Sequence, residues 1–205
     1  MRYAVMSDVH ANPQALERAL ADARAQGCET FFMLGDTTGY GYDVVRAASA
    51  VFVHGELTRP RAWNYMLDEN AARVNFAALA PHEQVLFCGH THHAAAWSLS
   101  PRGRVYAKYE RRLEMPTLRA ESISFRLKPG WRYVVNVGSV GYPRVDFCSV
   151  YAIYDPERHQ ITYRRLPFDF KHYIESMIAR GLPLPWWLEE LLARAARRMK
   201  LPAGA

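Results

Sequence analysis

The sequence has no long hydrophobic run and little cysteine. No stretch approaches the ~20 apolar residues needed to cross a bilayer. The opening residues Met-Arg-Tyr-Ala-Val reach the charged Asp8 too soon for the apolar region of a signal peptide. The three cysteines are far apart, odd in number and set in apolar, strand-like surroundings, which favours reduced, buried thiols over a disulfide framework. We therefore expect a cytoplasmic protein with no membrane contact.

Internal repeats and low-complexity linkers are also missing from the sequence. With 205 residues, half of them hydrophobic, one domain with a sizeable core is expected. Negative charge is in the minority, since the formal net charge is +6. Much of the positive excess lies in a C-terminal cluster, which is typical of a solvated helix face: Arg194, Arg197, Arg198 and Lys200. Because no aromatic platform or recognisable nucleic-acid-binding module accompanies this cluster, we do not expect nucleic acid as a partner.

The N-terminal residues alternate strand, helix and strand. Residues 2–6 are a short run of strand formers. The apolar spacing of residues 15–23 predicts a helix that Asn12 caps, with Pro13 at its first position. Residues 31–34 predict a second buried strand, so the two strands should form a parallel pair.

The rest of the chain predicts two sheets. Residues 44–53 resemble a hairpin, although a short helix is the alternative for their first part, and residues 84–88 predict another strand. A helix is predicted over residues 62–80, and the alternating segments of residues 96–165 predict a second, largely antiparallel sheet. The sequence thus predicts an α/β fold, or α+β sandwich, in which two mixed β-sheets pack face to face and are flanked by helices.

The predicted domain organisation is simple. Residues 1–168 form one domain, and residues 169–205 form a helical extension packed on the same domain. The oligomeric state stays open, although Trp186 and Trp187 could form an interface if they do not pack on the sheet.

Polar clusters follow the predicted strands at their C-terminal ends, where open α/β sheets bind ligands. Asp8 and His10 are two residues apart, so on an extended strand end both side chains would project toward one ion. Alone, such a pair is more often a turn residue with an incidental histidine. His90 and His92 repeat the spacing after a buried strand, where paired imidazoles seldom serve core packing.

Two further residues complete a predicted metal site. Asp36 follows a strand and could reach across two cations held ~3.5 to 4 Å apart, as in binuclear hydrolases. His54 ends another strand, and alone it would be interpreted as a hydrogen-bonded loop histidine. Together the two aspartates and four histidines give a mixed N and O ligand set that suits two divalent ions of Mn, Fe, Zn or Ni.

Five motifs follow one another along the chain, at residues 7–12, 35–41, 53–55, 89–92 and 136–141. Their order resembles that of bacterial calcineurin-like phosphoesterases, and the chain thus resembles that metallophosphoesterase superfamily, in particular its phosphodiesterase and diadenosine-tetraphosphatase-like branch. The resemblance extends from residue 1 to about residue 168.

The resemblance implies a ligand set and a reaction. Asp8, His10 and His92 would bind one metal, His54 and His90 would bind the other, and Asp36 would bridge them. A metal-bound hydroxide would attack phosphorus in line and hydrolyse a phosphomonoester or phosphodiester, with Asp36, His54 and His90 acting through that hydroxide. The partner would be a phosphate-ester small molecule or a nucleotide.

Four residues outside the ligand set are candidates for substrate contact: Arg59, Tyr40, Ser139 and Arg144. The glycine-rich residues 136–141 could present backbone N–H groups to an anion near Arg144. An equal alternative is that they form a plain connection from strand to turn. For Tyr40 and Arg59 the alternative is a surface role. His93 would point away from the ligands if its segment is extended.

A Gly-Asn-His motif of the superfamily does not occur in the sequence. By the resemblance, its Asn would be a ligand to the second metal, and its His would protonate the leaving oxygen or bind the phosphate. The interval from Asp36 to His54 is too short for the missing part, and the junction is expected near Asp43 and Val44. Two explanations stay open: a stretch that the sequence omits, or a true deletion. A deletion of a ligand and a central strand should cost more than the ~5 to 15 kcal/mol that holds a domain together.

Two functions from different classes therefore compete. The first is a metal-dependent phosphoesterase. The second is a degenerate, non-catalytic member that binds metal or phosphate without turnover because it lacks the Gly-Asn-His motif. A nuclease is a third hypothesis and would require salt-sensitive affinity for DNA or RNA.

Overall fold

A computed structural model describes residues 1–37, 44–47, 49–110, 119–144 and 148–181. The chain divides into two units, Met1–Phe168 and Asp169–Ala205. The elements are β1 (Arg2–Met6), α1 (Pro13–Ala25), β2 (Cys28–Met33), β3 (Val45–Ala47), β4 (Ala50–Phe52), α2 (Glu69–Ala78), β5 (Val85–Cys88), β6 (Ala94–Leu99), β7 (Val105–Glu110), β8 (Glu121–Arg126), β9 (Arg132–Val137), β10 (Cys148–Asp155), β11 (Gln160–Pro167) and α3 (Phe170–Ala179). Of the described helices, none is both long and apolar enough to cross a membrane.

The strands of the first unit form two mixed sheets, as predicted. The first sheet has the order β2-β1-β10-β11-β8, in which only β1 and β2 are parallel. The second has the order β3-β4-β5-β9-β6-β7, in which β4, β5 and β9 are parallel. One prediction was wrong: residues 96–165 do not build a separate antiparallel sheet, because their strands are shared between both sheets.

The main core lies between the two sheets. Apolar side chains from both meet there, among them Val5, Phe52, Phe87, Val135 and Tyr163. A second apolar cluster lies between the other face of the second sheet and α2, and a third lies between the first sheet and α1. The unit therefore has four layers, with a helix outside each sheet, and the predicted α/β sandwich is confirmed.

The first helix forms as predicted. The side chain of Asn12 accepts a hydrogen bond from the backbone N–H of Ala15 at 3.1 Å, and Pro13 occupies the first turn, where its missing N–H costs nothing. The alanines Ala19 and Ala23 are fully buried, so α1 can approach the sheet closely.

The predicted helix over residues 62–80 is shorter than expected. Helix α2 begins only after Asp68, whose carboxylate caps it by accepting from the backbone N–H of Ala71 at 2.9 Å. Residues 56–68 are a loop whose apolar residues Leu57 and Met66 are buried without being helical. Leu57 precedes the predicted helix, whereas Met66 lies within it and is buried in an apolar cluster although its segment is not helical. The hairpin predicted for residues 44–53 is present as β3 and β4.

A bidentate ion pair ties α1 to the first sheet. The guanidinium of Arg164 on β11 donates to both carboxylate oxygens of Asp22 at 2.6 and 2.8 Å, and the hydroxyl of Tyr151 donates at 2.7 Å. Burial opposes ionisation of Asp22, but the hydrogen bonds from Arg164 and Tyr151 outweigh it and hold the pKa of the carboxyl below its ordinary value.

Substituting Asp22→Asn is expected to lower the free energy of unfolding by about 1 to 3 kcal/mol at neutral pH, because it removes charged hydrogen bonds. The contribution of Asp22 is present above the ordinary pKa of aspartate and is lost as pH falls through the lower folded-state pKa. Urea unfolding should therefore show a smaller difference from wild type at about pH 3 than at about pH 6. Glu17→Gln on the exposed face of α1 is the control, and a deficit that does not change with pH would contradict this account.

Candidate metal centre

The six predicted ligands meet at one edge of the sandwich, just beyond the C-terminal ends of four parallel-paired strands. Asp8 and His10 follow β1, Asp36 follows β2, His54 follows β4, and His90 and His92 follow β5. Since β1 and β2 belong to one sheet and β4 and β5 to the other, the ligands come from both sheets.

The ligand atoms form two groups. Within each group they lie within 4.8 Å of one another, and the groups are Asp8, His10, His92 and Asp36, His54, His90. Oδ2 of Asp36 lies 3.3 Å from Nε2 of His54 and 3.6 Å from Nε2 of His10. The Asp36 carboxylate is therefore within reach of both groups.

Protein contacts fix the outer atoms of several candidate ligands, and the inner nitrogens Nε2 of His10 and His92 lie 3.2 Å apart. Oδ2 of Asp8 accepts from the backbone N–H of His90 at 2.9 Å, whereas its Oδ1 faces the other ligands. Nδ1 of His54 lies 3.3 Å from the hydroxyl of Ser7. Nε2 is therefore the nitrogen of the buried His54 ring that remains to coordinate a metal ion.

Backbone carbonyls set the tautomers of two more histidines. Nε2 of His90 lies 3.1 Å from the carbonyl oxygen of Trp63, and Nδ1 of His92 lies 2.6 Å from that of Tyr142. A carbonyl can only accept, so the proton belongs on the nitrogen facing it, and the other nitrogen keeps its lone pair. Nδ1 of His90 and Nε2 of His92 are therefore the nitrogens whose lone pairs are available to a metal ion.

The inner atoms suit a divalent cation. In the described chain, four buried ligand atoms have no hydrogen-bond partner: Asp8 Oδ1, Asp36 Oδ1, His54 Nε2 and His90 Nδ1. Such atoms cost about 1 to 3 kcal/mol each when nothing binds them. Asp8 Oδ1 lies 3.2 Å from His92 Nε2 and 3.7 Å from His10 Nε2. Ligand atoms at about 2.0 to 2.2 Å from one ion would be spaced about 3 to 4 Å apart, and both of these distances lie in that range.

The electrostatics favour the protonation states that metals bind. Burial disfavours the ionised form of Asp8. Hydrogen bonds from His10 and His92 outweigh this effect and hold the pKa of the Asp8 carboxyl well below its ordinary value. Burial, followed by the charge of His54, lowers the pKa of His90. Asp8 is therefore ionised and His90 neutral at neutral pH, as coordination requires.

The ligands converge through an unusual backbone, and the expected extended strand ends were wrong. Strand β1 stops at Met6, and eight non-glycine residues in the described ranges have positive φ. Five of them are candidate ligands with φ from 48° to 68°: Asp8, His10, Asp36, His90 and His92. Asp and His tolerate this left-handed conformation better than most residues. The side chains are thus aimed at the centre by tight turns and not by strand alternation.

The glycine-rich segment 136–141 supports the ligand loops from behind. The N–H groups of Val140 and Gly141 donate to the carbonyls of Ser7 and Asp8, both at 3.0 Å. Ser139 is 1% exposed, and its hydroxyl also donates to the Asp8 carbonyl, at 2.9 Å. These donors are used within the protein, so Ser139 positions Asp8 and is not available to a substrate, contrary to the expectation for it.

The other predicted substrate residues have different surroundings. Tyr40 lies outside the described residues. Arg59 is exposed and lines an open cavity of about 480 Å³ with residues 60–62. Arg144 is half-buried, and its guanidinium lies 5.6 Å from the centroid of the Tyr142 ring. Tyr142 in turn packs beside the ligand rings.

Two aromatic residues at the centre were not predicted. The ring of Tyr65 stacks on His90 with centroids 4.5 Å apart and planes 7° apart, and Tyr65 is 48% exposed. The ring of Trp63 lies 5.5 Å from His90 and 5.8 Å from His54. The sequence pattern had assigned this segment to a helix, so nothing in it indicated a wall of the site.

Comparison with known proteins supports the fold. A metallophosphoesterase from Sphaerobacter thermophilus superposes with a TM-score of 0.71 at 23% identity, over 89% of this chain and 95% of that chain. An uncharacterized protein from Methanocaldococcus jannaschii is 22% identical over 261 residues, covering 92% of this chain and 96% of the relative. No family model matches. The chain therefore has the fold of that metallophosphoesterase, as the sequence predicted.

The length of one alignment bears on the missing motif. The alignment with the Methanocaldococcus protein spans 261 residues, which exceeds the 205 residues of this chain. The relative therefore has residues with no counterpart here. The junction is expected near Asp43 and Val44, and Asp43 lies outside the described residues.

Proposed function

We propose that this chain is a metal-dependent phosphoesterase with a binuclear centre. The observation that carries the proposal is the convergence of four buried, unpartnered ligand atoms in two groups, with Asp36 within reach of both. The mixed N and O donor set suits Mn, Fe, Zn or Ni. The likeness in fold to a metallophosphoesterase supports the same conclusion.

The residues around the centre have distinct roles in such a reaction. Two bound divalent ions would lower the pKa of a water molecule and offset the charge that develops on the phosphoryl oxygens. His10, whose side chain is 33% exposed, marks the open face through which a phosphate ester reaches the centre. Arg144 and Arg59 offer guanidinium groups to phosphate oxygens. Trp63 and Tyr65 cover the histidines of the second group.

The missing motif predicts a preference among substrates. Its histidine would protonate the leaving oxygen, and general acids of this kind typically contribute about 10² to 10⁴ in rate. Without it, the leaving group takes its proton from solvent. Esters of acidic alcohols, such as p-nitrophenyl esters, should therefore react far faster than alkyl esters.

A second candidate function is binding without turnover, and the missing Gly-Asn-His motif favours it. The composition of the second ligand group argues against this alternative. Its described ligands are three, namely Asp36, His54 and His90, and catalytic metal sites commonly keep three protein ligands and an open position. We therefore place hydrolysis first.

The experiment measures metal binding and turnover separately. Protein stripped with a chelator receives Mn²⁺, and its melting temperature and its hydrolysis of bis(p-nitrophenyl) phosphate are recorded. Metal at 100 times its Kd should add about 2.7 kcal/mol to the free energy of unfolding. His82→Ala, which alters an exposed histidine outside the ligand set, should behave as wild type.

The outcomes distinguish the two functions. Stabilisation with turnover supports the phosphoesterase. Stabilisation without turnover of phosphomonoesters or phosphodiesters, across Mn²⁺, Zn²⁺, Ni²⁺ and Fe²⁺, supports the non-catalytic alternative. If none of these ions changes the melting temperature or the rate, the metal centre itself is wrong.

A further inference from the structure

A second cavity lies at the end of the sandwich away from the metal ligands. Strand β6 runs from Ala94, two residues after His92, to Leu99, and the cavity begins at the turn that follows. Its volume is about 600 Å³, and its lining residues are Ser100, Pro101, Arg102, Arg104, Tyr106 and Trp131. Cavities of about 300 to 1,000 Å³ are the size that holds small-molecule ligands.

Positive charge is concentrated around this cavity. Arg102 and Arg104 are exposed on its wall, and the ammonium groups of Lys108 and Lys128 lie 5.5 and 5.0 Å from the centroid of the Trp131 ring. The ring quadrupole attracts both ammonium groups and keeps them beside the cavity. Within the described ranges, none of the four cations forms an ion pair with a carboxylate. An anion bound beside these cations would therefore be stabilised by opposite charge.

Two short turns hold these groups in place. In the first, the backbone N–H of Arg104 donates to the hydroxyl of Ser100 at 3.0 Å, and the N–H of Ser100 donates to the carbonyl of Arg104 at 2.8 Å. In the second, the N–H of Lys128 donates to the hydroxyl of Tyr133 at 2.8 Å, and the N–H of Trp131 donates to the Lys128 carbonyl at 3.2 Å. The charged groups therefore extend from an ordered frame, which reduces the entropy lost on binding.

An aromatic surface lies beside the charges. Tyr106 is 42% exposed, and its ring centroid lies 5.7 Å from that of Trp131, with the two planes 37° apart. An exposed ring next to cations is the combination that binds a base and its phosphates together. Arg102 and Arg104 line the cavity, and Lys108 and Lys128 lie against Trp131 on its wall. One compact cavity favours a discrete small molecule over a nucleic-acid strand.

We propose that this cavity binds a nucleoside polyphosphate, with phosphates on Arg102, Arg104 and the two lysines and with the base against Tyr106. The site is separate from the metal centre and does not depend on the proposed hydrolysis. The nucleotide site would then be a second ligand site on the domain that carries the proposed metal centre.

Isothermal titration calorimetry of the full chain tests this proposal. The probe is the non-hydrolysable ATP analogue adenylyl imidodiphosphate, titrated in the presence of EDTA so that the metal centre holds no ion. Arg104→Ala should weaken binding about tenfold or more, because a charged hydrogen bond is lost. Tyr106→Ala should weaken the analogue at least about fivefold through lost stacking and leave inorganic tripolyphosphate unaffected.

A matched variant and two further ligands complete the test. Arg126→Ala removes one exposed charge from β8 and should leave the Kd of the analogue unchanged. The proposal is overturned if wild type does not bind the analogue, or if Arg126→Ala weakens binding as much as Arg104→Ala. It is also overturned if tripolyphosphate binds as tightly as the analogue, or if a ten-residue oligothymidylate binds more tightly.

Discussion

Replacing Asp36 with asparagine is expected to leave the fold intact and to lower both metal affinity and metal-dependent hydrolysis by more than about 100-fold. Removal of a group that only orients a metal ligand typically costs about 10- to 100-fold. Asp36 lies within reach of both ligand groups and is 5% exposed, so its loss should exceed that range. Asparagine keeps the shape of the side chain and removes the charge that two cations would share. Calorimetry with Mn²⁺ and the rate with bis(p-nitrophenyl) phosphate measure the two effects.

The control for Asp36→Asn is Glu17→Gln, which removes one negative charge from the exposed face of α1. It should bind Mn²⁺ and turn over as wild type does. Circular dichroism of both variants in EDTA should match wild type. Retention by Asp36→Asn of metal affinity within about tenfold of wild type would contradict the bridging role, because a ligand to two ions cannot matter less than an orienting group.

Replacing Gly141 with alanine is expected to cost at least about 3 kcal/mol in the free energy of unfolding and to abolish Mn²⁺ binding. A β-carbon there would lie 1.8 Å from the carbonyl oxygen of Val9, and this neighbour is backbone that cannot rotate away. Val9 lies between Asp8 and His10 in the chain, so relief of the clash must displace both ligands. Chemical denaturation and metal titration measure the two consequences.

Gly103→Ala is the matched control for Gly141→Ala. Gly103 has a positive φ of 75°, but no heavy atom lies within 4 Å of the position a β-carbon would take. Alanine there should cost about 1 kcal/mol through backbone strain alone and should leave Mn²⁺ affinity unchanged. An equal loss of stability in both variants would mean that the contact between Gly141 and Val9 does not support the ligand loop.

The parts of the fold that local chemistry determines could be predicted from the sequence. Helix α1 carries its own signals, because Asn12 and Pro13 specify where it starts and the spacing of its alanines specifies its buried face. The two aspartates and four histidines could be gathered at one edge because each follows a strand, and parallel strands place their ends together. Neither inference required a long-range contact.

The parts that depend on tertiary contacts could not be predicted. Residues 62–68 have helix-like spacing, yet Trp63 has a φ of 57°, and its carbonyl oxygen lies 3.1 Å from Nε2 of His90, a distant residue. The glycine-rich segment 136–141 resembled an anion-binding loop, but its donors are used by the carbonyls of Ser7 and Asp8. In both cases the partner lies far away in the sequence, so local pattern has no information about it.

The left-handed backbone of the candidate ligands lowers the stability of the fold, although it aims their side chains at the proposed metal centre. Five of the candidate ligands hold conformations that cost of order 1 kcal/mol or more each, and several buried polar atoms of the candidate ligands have no hydrogen-bond partner within the described residues. Without a bound ion these features only weaken the fold. Selection for folding alone would therefore replace the strained aspartates and histidines before it touched the core between the sheets. In the absence of selection for metal binding, the proposed centre is therefore the part of the chain that mutation is expected to change first.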